Sequence, residues 1–163
     1  MQTNFVATRS LSLIFTIILL LWPCLGSGQS QATNSSHSIK ALAQQPTVPV
    51  TLGKKTITAT LANTNATRIN GLLGWNEIKE DQGMLLDFMR SGIYAIHMQG
   101  MNFPIDALWI DSNGVIKLIY DQIQPNSGIT YPSMFEIRYC LEIAAGFCKK
   151  YGIKTGDRIV LGN

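Results

Sequence analysis

The sequence predicts an α+β fold that is mostly β, with a mixed sheet curled into a partial barrel and two short covering helices. Short segments with alternating apolar and polar residues recur between residues 56 and 161, as in half-buried strands. Strong turn signals such as Asp111-Ser112-Asn113-Gly114 separate these segments. Only 65–73 and 144–151 have helical spacing, and both are short.

The first half of the domain is predicted to contain three strands and one helix, with ordered structure beginning at Lys54. Alternation is clearest in the first strand, where apolar residues face one side and threonines the other. Asn63 or Thr64 caps the helix, and two glycines keep it short. The predicted segments are strands 56–61, 83–88 and 93–98, helix 65–73 and a turn at 90–92.

The second half is predicted to contain a central strand, a hairpin, a loop and a second helix. Residues 105–110 are apolar on both faces, so we expect this strand to be covered on both sides. The turn signal at 111–114 predicts an antiparallel hairpin. Gly152 ends the second helix. The remaining predicted segments are strands 115–120, 135–143 and 158–161 and a loop at 121–133.

Residues 1–28 have the pattern of a secretory signal peptide. Arg9 supplies a positive start, an apolar run covers 11–21, and small residues suit cleavage near Gly28. We therefore predict an exported protein, periplasmic or secreted, with no transmembrane span in its mature form. The alternatives are an uncleaved amino-terminal membrane anchor, for which a span of about 20 apolar residues is usual, and a lipoprotein modified at Cys24.

Residues 29–53 are polar and are predicted to form a flexible linker. Residues 54–163 are predicted to form one domain, because 46% apolar residues suffice for a single core. Of the 13 Lys and Arg only Arg9 and Lys40 precede this domain, which contains all 10 Asp and Glu. A nearly neutral domain argues against nucleic acid as a partner.

Two cysteines, Cys140 and Cys148, remain after the predicted cleavage. An exported compartment permits a disulfide between them. The alternative is a pair of buried free thiols that pack as small apolar groups. The sequence leaves both interpretations open.

Carboxylates are the first candidates for chemistry. Asp106 enters an apolar strand, where a carboxylate can shuttle protons, or where it accepts backbone N–H bonds from the turn at 99–102. Asp111 is expected to cap the hairpin turn. Because these two aspartates are five apart on one strand, they face opposite sides, and Glu142 is the predicted partner for Asp106.

His97, Met98 and Met101 form a second group of candidates. Imidazole and thioether groups bind Cu(I), whereas methionines also fill irregular space in a core. Strand alternation places His97 and Met98 on opposite faces. Neither a Gly-x-Ser-x-Gly elbow nor a phosphate-binding glycine loop occurs in the sequence, so no cofactor or metal is predicted.

Three ordered motifs suggest a family. They are Gly71-Leu72-Leu73-Gly74 followed by Asp81-Gln82-Gly83-Met84-Leu85; His97-Met98-Gln99-Gly100-Met101 with Phe103-Pro104-Ile105-Asp106, Trp109-Ile110-Asp111 and Gly114-Val115; and Leu141-Glu142-Ile143-Ala144-Ala145-Gly146 with Gly152-Ile153 and Gly156-Asp157. From Lys54 to Leu161 the chain resembles the domain of unknown function 192 family. The resemblance implies a small β-rich or α+β fold, often behind an export signal, with no settled activity. Many members have a lysine where this chain has Gln99 and a hydroxyl where it has Met101, so an anion-binding role for that lysine is not supported here.

These observations favour a non-enzymatic binding or accessory module with an unknown ligand or envelope partner. The alternative is a small hydrolase, nuclease-like, in which Asp106 and Glu142 act with His97. Copper handling by the His97 group is a lower alternative. The residues predicted to line the binding site are Met84, His97, Met98, Gln99, Met101, Asp106, Tyr131 and Glu142.

Overall fold

A computed structural model describes residues 45–162, which contain nine strands and two helices. The signal-peptide, anchor and lipoprotein predictions lie outside these residues. The elements in chain order are β1 (Thr47–Leu52), β2 (Lys55–Ala62), α1 (Asn65–Asn70), β3 (Gln82–Gly92), β4 (Ala95–His97), β5 (Ile105–Ile110), β6 (Ile116–Ile123), β7 (Thr130–Pro132), β8 (Ile137–Ala144), α2 (Phe147–Tyr151) and β9 (Ile159–Leu161).

Seven of these strands form one sheet in the order β6-β5-β8-β3-β2-β1-β9, and β4 pairs with β7 separately. The sheet is mixed, because β2 and β3 run parallel whereas its other pairs are antiparallel. It curls into a half-barrel with two short helices, which confirms the predicted fold class. Strand β8 lies between β3 and β5, so its side chains occupy the middle of the sheet.

Apolar side chains cover both faces of the sheet. On the face toward α1, Trp109 of β5 packs with Leu72 and Met84, and we call this group the α1-side core. On the other face, Leu108 of β5 packs with Phe147 of α2, and we call this group the α2-side core. Every residue of β5 is buried, as predicted for a central strand. Full burial of such an apolar side chain contributes roughly 1.5–3 kcal/mol, so the two cores are the main source of stability.

The predicted linker overlaps β1, so the prediction that ordered structure begins at Lys54 is wrong at this boundary. Strand β1 pairs antiparallel with β2 and β9, and its Val50 and Leu52 are buried. The sequence hides this strand because Pro49, a residue that interrupts most strands, lies within it. Residues 29–44 of the predicted linker lie outside the described part.

Other element boundaries also differ from the predictions. The predicted turn at 90–92 belongs to β3, where the pairing with β8 shifts register and Met89 has a φ of 65°. The predicted loop at 121–133 contains the end of β6 and all of β7. Both helices occur but are shorter than predicted, since β8 extends to Ala144. The hairpin of β5 and β6 is confirmed.

The two cysteines are free and buried in this structure. Cys140 belongs to the α1-side core and Cys148 to the α2-side core, so the sheet separates them. Burial raises the pKa of both thiols. The structure therefore agrees with the interpretation of two packed free thiols rather than with a disulfide.

Candidate functional site

A cavity of about 410 Å³ opens on the α1 side of the sheet. Helix α1 and the turn after it form one wall, and the segment 94–101 forms the other. Strands β3 and β8 lie beneath. Its lining residues are Asn65, Arg68, Ile69, Asn70, Gly71, Leu72, Leu73, Leu86, Phe88, Tyr94, Ala95, Ile96, His97, Met98, Gln99, Met101 and Glu142.

Glu142 is the acidic residue among those lining side chains. It is only 7% exposed, and in the sheet it lies directly between Met84 of β3 and Ala107 of β5. Burial among apolar neighbours raises the pKa of Glu142 from 4.5 to about 7, and desolvation is the sole cause. A carboxylate at the base of the cavity is thus held without a compensating charge.

Helix α1 places Arg68 at the cavity. The helix begins with a capping box in which the Thr64 side chain accepts from the Thr67 backbone N–H. Arg68 Nη1 donates to the carbonyl oxygen of Asp87 at 2.7 Å, and the guanidinium lies 5.6 Å from the centre of the Phe88 ring. The Arg68 guanidinium therefore contacts β3.

Two stacked aromatic rings, one from β3 and one from the segment 94–101, also line the cavity. Phe88 and Tyr94 stack with ring centres 3.9 Å apart and an interplanar angle of 14°. Tyr94 Oη donates to the carbonyl oxygen of Arg90, and the Tyr94 backbone N–H donates to Ser133 Oγ. These bonds fix the ring where the chain passes from β3 to β4.

The opposite wall brings together most of the predicted ligand-binding residues. Strand β4 ends at His97, and His97, Met98, Gln99 and Met101 all line the cavity. The burial of these residues alternates, which agrees with the prediction that His97 and Met98 face opposite sides. His97 is exposed, whereas Met98 and Met101 are buried.

Asn126 holds this wall in place. Its backbone N–H donates to the Met98 carbonyl at 2.8 Å, its Oδ1 accepts from the Gly100 N–H at 2.8 Å, and its Nδ2 donates to the Met101 carbonyl at 3.2 Å. Sequence reasoning missed this residue because 25 or more residues separate it from its partners. An asparagine in a Pro-x-x-Gly loop, which tolerates a φ of 53°, was the only available signal.

Two other predicted residues support the site without lining it. Met84 is fully buried next to Glu142 in the sheet, beneath the cavity. Tyr131 pairs with Ile96 across β4 and β7 and packs against Tyr120, with ring centres 5.2 Å apart. These side chains shape the cavity from behind.

Asp106 lies on the other face of the sheet. Its carboxylate accepts N–H bonds from Gln122 at 2.8 Å and from Gly146 and Cys148 at 2.9 Å each. The prediction of a carboxylate that accepts backbone N–H bonds is thus correct in kind, but the expected donors at 99–102 are wrong. Those donors belong to segments that come close only through the pairing of β5 with β6 and β8.

The predicted pair of Asp106 and Glu142 is not formed. Asp106 pairs with Ile143 of the α2-side core, and Glu142 pairs with Ala107 of the α1-side core. Directly paired residues share a face of the sheet, so the two carboxylates face opposite sides and share no cavity. A hydrolase mechanism that uses both acids together therefore has no geometric support.

Besides Asn126, the sequence analysis missed Arg68 of α1 and Phe88 of β3, which line the cavity. Arg68 and Leu72 are four apart, which places them on one side of a helical segment. That spacing was a usable signal, whereas the approach of Arg68 to Phe88 depends on the packing of α1 against β3 and was not. Within residues 45–162, no group of three or more His, Cys, Asp or Glu is arranged to bind a metal ion.

Comparison with known protein families assigns this chain to a family. The family model for domain of unknown function 192, described as an uncharacterised ACR, matches residues 48–161. This chain belongs to that family. The predicted resemblance is thus confirmed, and the match includes most of β1 as well as the whole cavity.

Two solved structures are similar to this chain. A proposed transcription regulator from Sinorhizobium meliloti is 30% identical, with a TM-score of 0.66, over 71% of this chain and 92% of that one. A protein of unknown function from Novosphingobium aromaticivorans is 23% identical, with a TM-score of 0.64, over 70% and 83% of the two chains, and shares the fold. A search of curated proteins found no match. No helix within residues 45–162 is long and apolar enough to cross a membrane.

Proposed function

We propose that this family member is an exported binding module that holds a small ligand in the cavity between α1 and the segment 94–101. The observation that carries the proposal is Glu142, a nearly buried carboxylate at the base of a cavity of about 410 Å³ that is lined by somewhat more apolar than polar surface. A concave, mostly apolar site with few polar groups is the usual form of a small-molecule site. Export is supported by the apolar leader and the small residues before Gly28.

Binding is favoured over hydrolysis because the acids required for a paired mechanism are split between the faces of the sheet. Asp106 is saturated by three backbone donors and faces α2. Among the described residues that line the cavity, Glu142 is the one carboxylate. The copper-handling interpretation stays a prediction, now with His97, Met98 and Met101 on one cavity wall.

Ligand capture tests the binding function directly. Native mass spectrometry of the protein purified from its own host is expected to show a co-purifying small molecule. Ala95→Trp, at an exposed position that lines the cavity, should abolish that mass shift by filling the entrance. Val160→Trp adds the same ring at the exposed position of β9, outside the cavity lining, and this variant should retain the mass shift. Equal retention by both variants would contradict the proposed site.

Export has a separate test. Mass spectrometry of the mature amino terminus should find a chain that begins close to residue 29, because cleavage is predicted near Gly28. An intact Met1 in the exported fraction contradicts cleavage. A lipidated cysteine at position 24 would instead support the lipoprotein alternative.

A further inference from the structure

The ligand class follows from the carboxylate beneath the cavity. Transfer of a charged group out of water is strongly unfavourable unless a partner compensates it. Glu142 is 7% exposed and lines the cavity, and the two salt bridges within residues 45–162 join Arg138 to Asp87 and Lys150 to Glu80, so neither involves it. The free protein therefore lacks a partner that an occupant of the cavity can supply.

The cation already present does not fill that role. Arg68 donates to the Asp87 carbonyl and lies over the Phe88 ring, so its guanidinium is engaged with β3. The other groups facing Glu142 are uncharged or remote: Met84 on β3, Ala107 on β5 and the Cys140 thiol on β8. His97 lines the cavity from β4 but is exposed.

The walls define the rest of the ligand. Apolar side chains of Leu72, Leu86 and Met98 suit a hydrocarbon body. The stacked rings of Phe88 and Tyr94 suit an aromatic body or the flank of an ammonium group. An acid with the same body would place a second carboxylate near Glu142, and like charges at that distance repel.

Resting on the proposed binding function, we propose that the cavity binds a primary organic amine with an apolar body, the ammonium group of which pairs with the Glu142 carboxylate. Charge-assisted hydrogen bonds to a desolvated carboxylate are the strong class of hydrogen bond. The amine supplies the positive charge that Arg68, engaged with β3, does not bring to Glu142, and its body occupies the volume between α1 and the segment 94–101.

Binding of this kind depends on pH in a definite direction. Burial raises the pKa of Glu142 to about 7 in the free protein. The ammonium requires the ionised carboxylate, so amine affinity should rise from pH 5.5 to pH 8 by on the order of tenfold per unit below pH 7. It should fall again above about pH 10, where a primary amine loses its proton.

The experiment uses three probes with one phenyl body: 2-phenylethylamine, 2-phenylethanol and 3-phenylpropanoate. Titration calorimetry on the mature chain at pH 8 should give the amine at least about tenfold tighter binding than the alcohol, and the acid the weakest. Glu142→Gln should remove the advantage of the amine and keep binding of the alcohol. Glu136→Gln, at an exposed position outside the cavity, should change none of these affinities.

The outcomes separate this proposal from the proposed function. If alcohol and amine bind equally to the wild type, or if the acid binds most tightly, the amine proposal is overturned while the binding function stands. If no probe binds and Ala95→Trp leaves ligand capture unchanged, both fail. The pH series on the wild-type protein decides the question even if Glu142→Gln does not fold, since a flat amine affinity between pH 5.5 and pH 8 also overturns the proposal.

Discussion

Two buried carboxylates in the middle of one sheet have opposite surroundings. Asp106 is fully buried on the α2 side and accepts three backbone N–H bonds of 2.8–2.9 Å. Glu142 lies on the neighbouring strand, faces the α1 side, and is perturbed by desolvation alone. The difference indicates that an acid bound by three backbone donors holds the fold together, whereas an acid without a salt-bridge partner beside a cavity is available for a ligand.

The donors around Asp106 explain why it is structural. Strand β6 bulges where it passes Asp106, and Gln122 has a φ of 51° there, which directs its N–H at the carboxylate. Gly146 adopts a φ of 80° immediately before α2, and Cys148 donates from the first turn of that helix. One side chain thus joins β5, β6 and the entrance to α2.

Asp106→Ala should have the largest effect on stability. The substitution leaves three N–H groups without their acceptor, and each unsatisfied buried donor costs about 1–3 kcal/mol. We expect a loss of at least about 3 kcal/mol in the free energy of unfolding, measured by urea denaturation at pH 7. Asp111→Ala removes an acceptor from a partly exposed turn and should lose less. A similar small loss in both variants would contradict the structural role of Asp106.

Glu142→Gln should change the free energy of unfolding less than Asp106→Ala does, and it should become favourable at pH values where Glu142 is ionised. The raised folded-state pKa means that Glu142 contributes stability when protonated, fully present below pH 4.5 and lost as pH rises through about 7. Gln does not titrate, so the stability of the variant relative to the wild type should increase between pH 4.5 and pH 8 by about 2–3 kcal/mol.

The measurement is the difference in free energy of unfolding between wild type and Glu142→Gln at several pH values, without added ligand. Glu136→Gln is the matched control, since Glu136 is exposed. A difference that stays constant from pH 4.5 to pH 8 would show that Glu142 titrates like a solvated acid, and the contrast with Asp106 would then disappear.

Sequence reasoning recovered the parts of this molecule that depend on local patterns. The stretch 105–110, apolar except for Asp106, and the turn after it define β5 and its hairpin, because apolar residues on both faces and turn residues are local properties of the sequence. The strand β1 was hidden by Pro49, which is tolerated because β9 pairs only with Val50 to Leu52 of β1. A rule based on neighbouring residues does not reveal that tolerance, because it depends on how distant strands pair.

The site was recovered in part. Of the five predicted residues that line the cavity, four lie close together in the sequence (His97, Met98, Gln99 and Met101), so a cluster of unusual residues was visible there. Glu142 was identified, but with the wrong partner, because the face of a strand residue depends on register with β3 and β5. Arg68 and Asn126 act through contacts with segments 19 and 25 residues away, and no periodicity encodes these contacts.

Asn126 offers a way to change the cavity without touching either carboxylate. Its side chain accepts from the Gly100 N–H and donates to the Met101 carbonyl, so it fixes the wall opposite α1. Asn126→Ala removes both bonds and places alanine at a φ of 53°, which should lower the free energy of unfolding by about 1–2 kcal/mol. Asn126→Gly removes the same bonds without the backbone strain and should lose less.

Ligand binding then separates wall geometry from charge. With the wall at 98–101 released, binding of 2-phenylethylamine and of 2-phenylethanol should weaken by similar factors, because the change affects the shape around the phenyl body and leaves Glu142 in place. Titration calorimetry on Asn126→Gly, compared with the wild type at pH 8, measures both factors. A loss confined to the amine would mean that the wall at 98–101 controls the carboxylate itself, and the shape of the wall and the charge of Glu142 would then not act independently.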